Sequence, residues 1–80
     1  MKLPRSLSAQ ELIKAVAKYG YQTERQKGSH IRLKTSTNGD HYITIPNHNP
    51  LRVGTLSAIL SDVANHLNKT KEEVIEELFG

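Results

Sequence analysis

The sequence has no cysteine and no tryptophan, and its 80 residues include one phenylalanine and one methionine. Without cysteine the chain has neither disulfide bonds nor thiolate metal ligands, a composition that suits a reducing cytoplasm. No apolar run approaches the ~20 residues of a membrane-spanning helix, and the first five residues lead into no hydrophobic segment of a secretory signal. With 36% apolar residues, the chain is predicted to form one small cytoplasmic domain.

Acidic residues are scarce in the first two thirds of the chain. Residues 1–53 carry nine basic and three acidic side chains, whereas residues 54–80 carry two basic and five acidic ones. The net charge of +3 therefore combines a balance of +6 with one of −3. A basic body of this kind favours a polyanionic partner, most readily a nucleic acid. A solvated surface with uneven salt bridging has the same composition, so charge alone leaves both interpretations open.

Three segments have the apolar spacing and the capping residues of helices. The first begins at a capping box formed by Ser8 and Glu11 and ends at Gly20. The second is predicted to begin with Thr55 as its N-cap, and the third begins at another capping box, residues 70–73. Each has one apolar stripe for a core. The stripe of the first helix comprises Ala9, Leu12, Ile13, Val16 and Ala17.

Between the first two helices the period of the pattern changes to two, which predicts strands. Residues 21–27 are polar enough for an edge strand, and a Gly28-Ser29 turn leads into a strand over 30–34. A second turn leads into a strand over 41–45. The inward side chains are Ile31, Leu33, Ile43 and Ile45. The sequence therefore predicts an α+β fold of order α-β-β-β-α, with a three-stranded antiparallel sheet, the helices on one face and a short extra C-terminal helix.

The four histidines are the main candidates for a catalytic residue, because the sequence has no phosphate-binding loop, nucleophile elbow or paired carboxylates. The four histidines, at positions 30, 41, 48 and 66, do not have the spacing of a helical metal pair. No metal and no cofactor are therefore predicted. His41, beside the second turn, is expected to be solvated, and His66 near the end of the second helix is expected to have a structural role.

His30 stands out because it follows the Gly28-Ser29 turn and has basic neighbours on the exposed sheet face. RNA is cleaved without metal when a side chain accepts the proton of its 2′-hydroxyl or protonates the leaving oxygen. Histidine can do either near neutral pH, and lysine or arginine can stabilise the charge that develops on the phosphate. The candidate RNA-binding residues around it are Lys27, Gly28, Ser29, Arg32 and Lys34. The alternative is a solvent-exposed histidine in a basic turn without a catalytic role.

Three further residues, His48, Tyr42 and Arg52, are secondary candidates for the same site. His48 follows the third strand and approaches His30 if the hairpin register allows it. Tyr42 and Thr44 share the outward face and can stack on or bond to a nucleotide. Arg52 precedes the second helix, whose N-terminus attracts phosphate.

Four motifs, taken in their order, resemble the HicA toxin family. They are residues 12–21, Arg25-Gln26-Lys27-Gly28-Ser29-His30, Ile45-Pro46-Asn47-His48, and Gly54-Thr55-Leu56-Ser57-Ala58-Ile59-Leu60. The resemblance spans residues 8–67 and is followed by a helical extension over 70–79. It implies that residues 1–80 form a single HicA-like domain with a fold like that of the double-stranded-RNA-binding domain.

The resemblance also implies a function. HicA proteins are toxins of type II toxin–antitoxin systems and act as metal-independent endoribonucleases that cleave messenger RNA. The histidine of their Gly-Ser-His motif, here His30, is the catalytic residue, and a HicB antitoxin covers the active site. The loop over residues 46–50 departs from the family pattern, so no role carries over to His48. The acidic tail over 71–80 serves either solubility or antitoxin contact.

Two other functions are compatible with the same residues. The first is a non-catalytic RNA-binding module that uses its basic face to recognise the shape of duplex RNA. The second is a protein–protein adaptor whose open sheet face is an interaction surface. Cleavage of RNA distinguishes the toxin from both.

Overall fold

A computed structural model describes residues 3–80 of the chain. Met1 and Lys2 lie outside the described residues. The predicted domain 1–80 and the segment predicted to lack a secretory signal both begin with these two residues. The elements are helix α1 (Ala9–Val16), a 3₁₀ turn (Ala17–Tyr19), strands β1 (Gln22–Lys27), β2 (His30–Thr35) and β3 (His41–Pro46), and helices α2 (Val53–His66) and α3 (Lys71–Phe79). The strands form an antiparallel sheet in the order β1-β2-β3. The predicted α-β-β-β-α order with an extra C-terminal helix is confirmed.

Both predicted capping boxes are present. The Ser8 hydroxyl accepts a hydrogen bond from the Glu11 backbone N–H at 3.1 Å, and the Glu11 carboxylate accepts from the Ser8 N–H at 2.9 Å. These hydrogen bonds hold the pKa of Glu11 below its usual value. Thr70 and Glu73 make the same pair of bonds at the start of α3, at 3.1 and 2.8 Å. The four residues therefore fix where α1 and α3 begin.

The start of α2 differs from the prediction. The helix begins at Val53, with Arg52 as an N-cap that makes no side-chain capping bond, so Thr55 lies within the first turn. The chain is anchored just before this point, because Leu51 is buried and its N–H donates to the Leu7 carbonyl at 2.7 Å. The burial of Leu51 thus sets the start of the helix. The capping preference of Thr55 predicted a start closer to Thr55.

The end of the first helix also differs from the expected pattern. After Val16 the chain makes one 3₁₀ turn and reaches Gly20, which has a left-handed φ of +85°. A side chain at Gly20 would meet the Thr37 hydroxyl at 2.8 Å, so this position requires glycine on two grounds. The tighter turn exposes Ala17, which the apolar stripe placed in the core, and Tyr21 is buried there instead.

The helices and the inward face of the sheet enclose one hydrophobic core. The residues that join it from the sheet are Ile31, Leu33, Ile43 and Ile45, as predicted, and α3 contributes Val74, Ile75 and Leu78. All six residues of β1 are exposed, which confirms that it is a polar edge strand. The opposite face of the sheet is left open and carries the alternate residues of β2.

Thr35, at the end of β2, is a buried polar residue with both hydrogen-bonding functions in use. Its hydroxyl donates to the Tyr19 carbonyl at 2.8 Å and accepts from the Thr37 N–H at 3.1 Å. We expect Thr35→Val to lower the free energy of unfolding by about 1–3 kcal/mol, because it leaves a carbonyl and an N–H without partners. Urea denaturation measures this, with Thr23→Val on the exposed strand β1 as the control. Equal stability of the two variants would contradict the assigned role.

Candidate active site

An open groove of about 710 Å³ lies on the sheet face that the helices leave uncovered. Its lining residues are Arg25, Lys27, Gly28, Ser29, His30, Arg32 and Thr44. Five predicted site residues are among them: the candidate catalytic His30, and Lys27, Gly28, Ser29 and Arg32. The secondary candidates His48, Tyr42 and Arg52 do not line the groove, and neither does Lys34. Arg25 and Thr44 complete it from the neighbouring strands.

The strand register explains how these side chains come together. Lys27 of β1 and Pro46 of β3 lie on either side of His30 as its cross-strand partners. In the next row of outward-facing side chains, Arg25 of β1 and Thr44 of β3 flank Arg32 of β2 in the same way. Directly opposed residues in an antiparallel sheet point to the same face with Cβ atoms about 5 Å apart. The histidine therefore has one cation beside it and two more in the adjacent row.

A β-bulge in β1 adds to this arrangement. The pairing shifts between Thr23 and Arg25, so that Glu24 is an extra residue opposite β2. A bulge places two consecutive side chains on similar sides of the sheet. Accordingly Arg25 lines the groove while the Glu24 carboxylate lies 3.5 Å from Nε of Arg32 on the same open face.

The turn before His30 is open and anchored. Gly28 has a left-handed φ of +58°, and no atom lies within 4 Å of the position of a Cβ there. The Gln26 side chain donates to the Gly28 carbonyl at 3.1 Å, and the Ser29 carbonyl accepts a hydrogen bond of 2.6 Å from Asn47 N–H. The backbone of the turn is thus accessible to a ligand and is also held in place by the loop after β3.

The backbone of His48 makes two hydrogen bonds in the loop after β3. Its N–H donates to the Pro46 carbonyl at 2.8 Å, and its own carbonyl accepts from the Ala9 N–H at 3.0 Å. The backbone of His48 therefore holds the start of α1, while its exposed side chain does not line the groove. The register that opposes Pro46 to His30 leaves His48 beyond the end of the paired segment.

The cationic side chains of the open face differ in the contacts that they make within the protein. Arg32 is held by Glu24 and lies over the ring of Tyr42, with its guanidinium carbon 4.3 Å from the ring centroid. Lys34 lies 3.7 Å from Asp40 and 5.7 Å from the same ring. Within residues 3–80, Arg25 and Lys27 belong to none of the ion pairs. These two cations next to His30 are therefore the most available to an anionic ligand.

A second, smaller hollow of about 310 Å³ adjoins the groove. Glu24, Arg25, Arg32 and Tyr42 line it, so the two depressions share both arginines. Tyr42 is 41% exposed, and Val53 is the other large hydrophobic residue with comparable exposure in the part of the chain described. The ring of Tyr42 thus forms part of the accessible surface of the smaller hollow, next to the groove.

The prediction that His41 is solvated is wrong. Its Nδ1 lies 2.7 Å from the hydroxyl of buried Tyr21, and its Nε2 lies 3.2 Å from the Asp62 carboxylate. Its ring stacks on that of His66 at 4.3 Å between centroids. His66 Nε2 in turn lies 2.9 and 3.1 Å from two carbonyl oxygens of the β2–β3 turn, in keeping with the structural role predicted for it. These two histidines connect the hairpin to α2 and lie apart from the groove.

Two further features of the described residues bear on the kind of site. Among residues 3–80, no three His, Asp or Glu side chains come together in a way that could hold a metal ion. None of the helices described is long and apolar enough to cross a bilayer.

The sequence model of the HicA toxin of bacterial toxin–antitoxin systems matches residues 9–64, well over half of the chain. The small basic α+β domain therefore belongs to the HicA toxin family. Membership makes it a toxin of a toxin–antitoxin system, with a cognate antitoxin as its partner. No curated protein and no solved structure matches the chain significantly.

Proposed function

We propose that this toxin is a metal-independent endoribonuclease of the cytoplasm that cleaves messenger RNA, with His30 as its general acid or base. The observation that carries the proposal is the pairing of exposed His30 with Lys27 at the mouth of a groove that also holds Arg25 and Arg32. A phosphodiester that lies along these residues has an imidazole and several cations within reach. Proton transfer and charge stabilisation are the two requirements of metal-free RNA cleavage.

The reaction can be written in terms of the RNA's own 2′-hydroxyl. As a base, His30 accepts the 2′-hydroxyl proton while the 2′-oxygen bonds to phosphorus. As an acid, it donates a proton to the 5′-oxygen as the bond between phosphorus and that oxygen breaks. In either role, solvent water in the open groove makes the complementary proton transfer. The products are a 2′,3′-cyclic phosphate and a 5′-hydroxyl end. Lys27 and Arg32 contact the phosphate and stabilise the charge on its non-bridging oxygens.

The surrounding residues have supporting roles in this proposal. The Gly28-Ser29 turn has an open backbone, so the RNA chain can approach His30 closely. Lys34 extends the basic face by one row, and Arg52 at the start of α2 offers a further phosphate contact outside the groove. We infer that residues 1–80 act as one domain, because α3 shares the common core, and that a HicB-like antitoxin inhibits by covering the groove.

Induced expression in bacteria is the first test of this function. We expect the wild-type chain to arrest growth and the His30→Ala chain to permit it at equal protein abundance, because His30 is exposed and its loss leaves the fold intact. Immunoblotting controls for abundance, and co-expression of the cognate antitoxin should restore growth to wild-type cells. Arrest by both chains would instead favour RNA binding without cleavage.

A further inference from the structure

The geometry points to a nucleobase subsite beside the groove, formed by Tyr42, Arg32 and Glu24, that selects guanine in single-stranded RNA. This inference rests on the proposed cleavage of RNA and specifies which RNA the site takes. The residue pattern around His30 does not predict this subsite, because the three residues of the subsite come from three different strands.

The first step is the platform on which a base would lie. The Arg32 guanidinium is stacked over the Tyr42 ring at 4.3 Å, and Glu24 fixes it from the side at 3.5 Å from Nε. One face of the guanidinium plane is thus covered by the tyrosine, and the Arg32 side chain remains 41% exposed. Nucleobases stack on arginine planes as well as on aromatic rings. An arginine that is already held flat loses little conformational entropy when a base stacks on it.

The second step is the distance from the proposed cleavage centre. Arg32 follows His30 by two residues on the same face of β2, which is about 7 Å along a strand. The smaller hollow adjoins the groove through Arg25 and Arg32. A phosphate beside His30 and Lys27 therefore leaves the base of a neighbouring nucleotide within reach of the Arg32 plane.

The third step is the choice of base. One oxygen of the Glu24 carboxylate faces Arg32, and the side chain is 43% exposed, so acceptor capacity remains. A carboxylate accepts hydrogen bonds and donates none when ionised. Guanine presents two adjacent donors, N1–H and the N2 amino group, on its Watson–Crick edge, whereas adenine and cytosine present one amino group and uracil one imino group. Glu24 therefore favours guanine, and it requires an unpaired base because it uses the pairing edge.

Binding of nucleoside monophosphates tests the subsite without any cleavage. We expect GMP to bind the wild-type protein at least about fivefold more tightly than AMP, CMP or UMP in an NMR titration, the lower end of a bidentate contact. Glu24→Gln should remove most of this preference. Tyr42→Ala should weaken all four nucleotides about fivefold or more, whereas Tyr42→Phe, which keeps the ring, should not.

Cleavage of single-stranded oligonucleotides that carry one guanine at varied positions gives the second readout. We expect the wild-type cut to move with the guanine and the Glu24→Gln cut to lose this dependence. Guanine-selective binding without cleavage would refute the proposed ribonuclease and leave the subsite standing. Cleavage with equal affinity for all four nucleotides, or nucleotide affinity that is unchanged in Tyr42→Ala, would overturn the subsite alone.

Discussion

The His30→Ala protein is expected to cleave a purified transcript about 10²–10⁴-fold more slowly than the wild-type protein, the usual contribution of a positioned acid or base. The physical reason is that no second histidine lines the groove of the described chain. Single-turnover cleavage followed on gels measures the rate, and circular dichroism verifies that the variant is folded. The wild-type reaction should continue in EDTA, since the proposed roles of His30 and its basic neighbours require no bound metal ion.

Two companion variants separate catalysis from RNA binding. Lys27→Ala removes the cation directly opposite His30 and should lower both affinity and rate, with a weaker dependence of affinity on salt. Because the His48 side chain lies outside the groove, His48→Ala should change the rate far less than His30→Ala. A His30→Ala protein that cleaves at the wild-type rate would disprove the assignment, and a His48→Ala protein as slow as His30→Ala would identify a second proton-transfer group.

Most of the fold was predictable because local signals decide it. The capping boxes at Ser8 and Thr70 depend on residues three positions apart, and both are present. The alternation of β2 and β3 likewise follows from neighbouring residues and correctly assigned the inward face. The start of α2 could not be predicted in this way, because it depends on the tertiary contact of Leu51 with the core.

The composition of the groove was predictable in part for the same reason. The turn and His30 are contiguous in sequence, so one short motif brings most of the groove lining together. Arg25 and Glu24 reach the open face through a bulge, which arises from pairing with β2 and has no signature in the residues of β1. The position of Thr44 opposite Arg32 depends on the hairpin register, which the sequence left open.

The role of Tyr21 was missed because a period of two assigned it to the edge strand. After the 3₁₀ turn and the left-handed Gly20, the chain turns Tyr21 into the core, where it is one of the largest fully buried side chains. Its hydroxyl meets His41 and, through it, Asp62 of α2. The two contacts join residues that are 20 and 21 positions apart, so no local pattern contains them.

Replacement of Tyr21 should have the largest effect on stability. We expect Tyr21→Ala to lower the free energy of unfolding by about 3–5 kcal/mol, because it empties a buried site of aromatic size. Small domains have only about 0.05–0.15 kcal/mol of stability per residue, so this loss is a large share of the total. Tyr21→Phe should cost only about 1 kcal/mol, since the ring remains and one hydrogen bond is lost. Urea denaturation measures both, with exposed Tyr42→Ala as the matched control.

The hydroxyl of Tyr21 also makes an alkaline pH dependence testable. Burial, assisted by the negative charge of Asp62, raises the pKa of Tyr21 to about 12 from an ordinary value of 10.0. The protonated hydroxyl is thus favoured in the folded state, so its stabilisation is fully present below pH 10 and is lost as the pH rises towards 12. Tyr21→Phe should reduce this loss but not abolish it, because burial raises the pKa of Tyr19 as well. Identical alkaline unfolding of Tyr21→Phe and wild-type proteins would show that the Tyr21 hydroxyl is not held in the core as described.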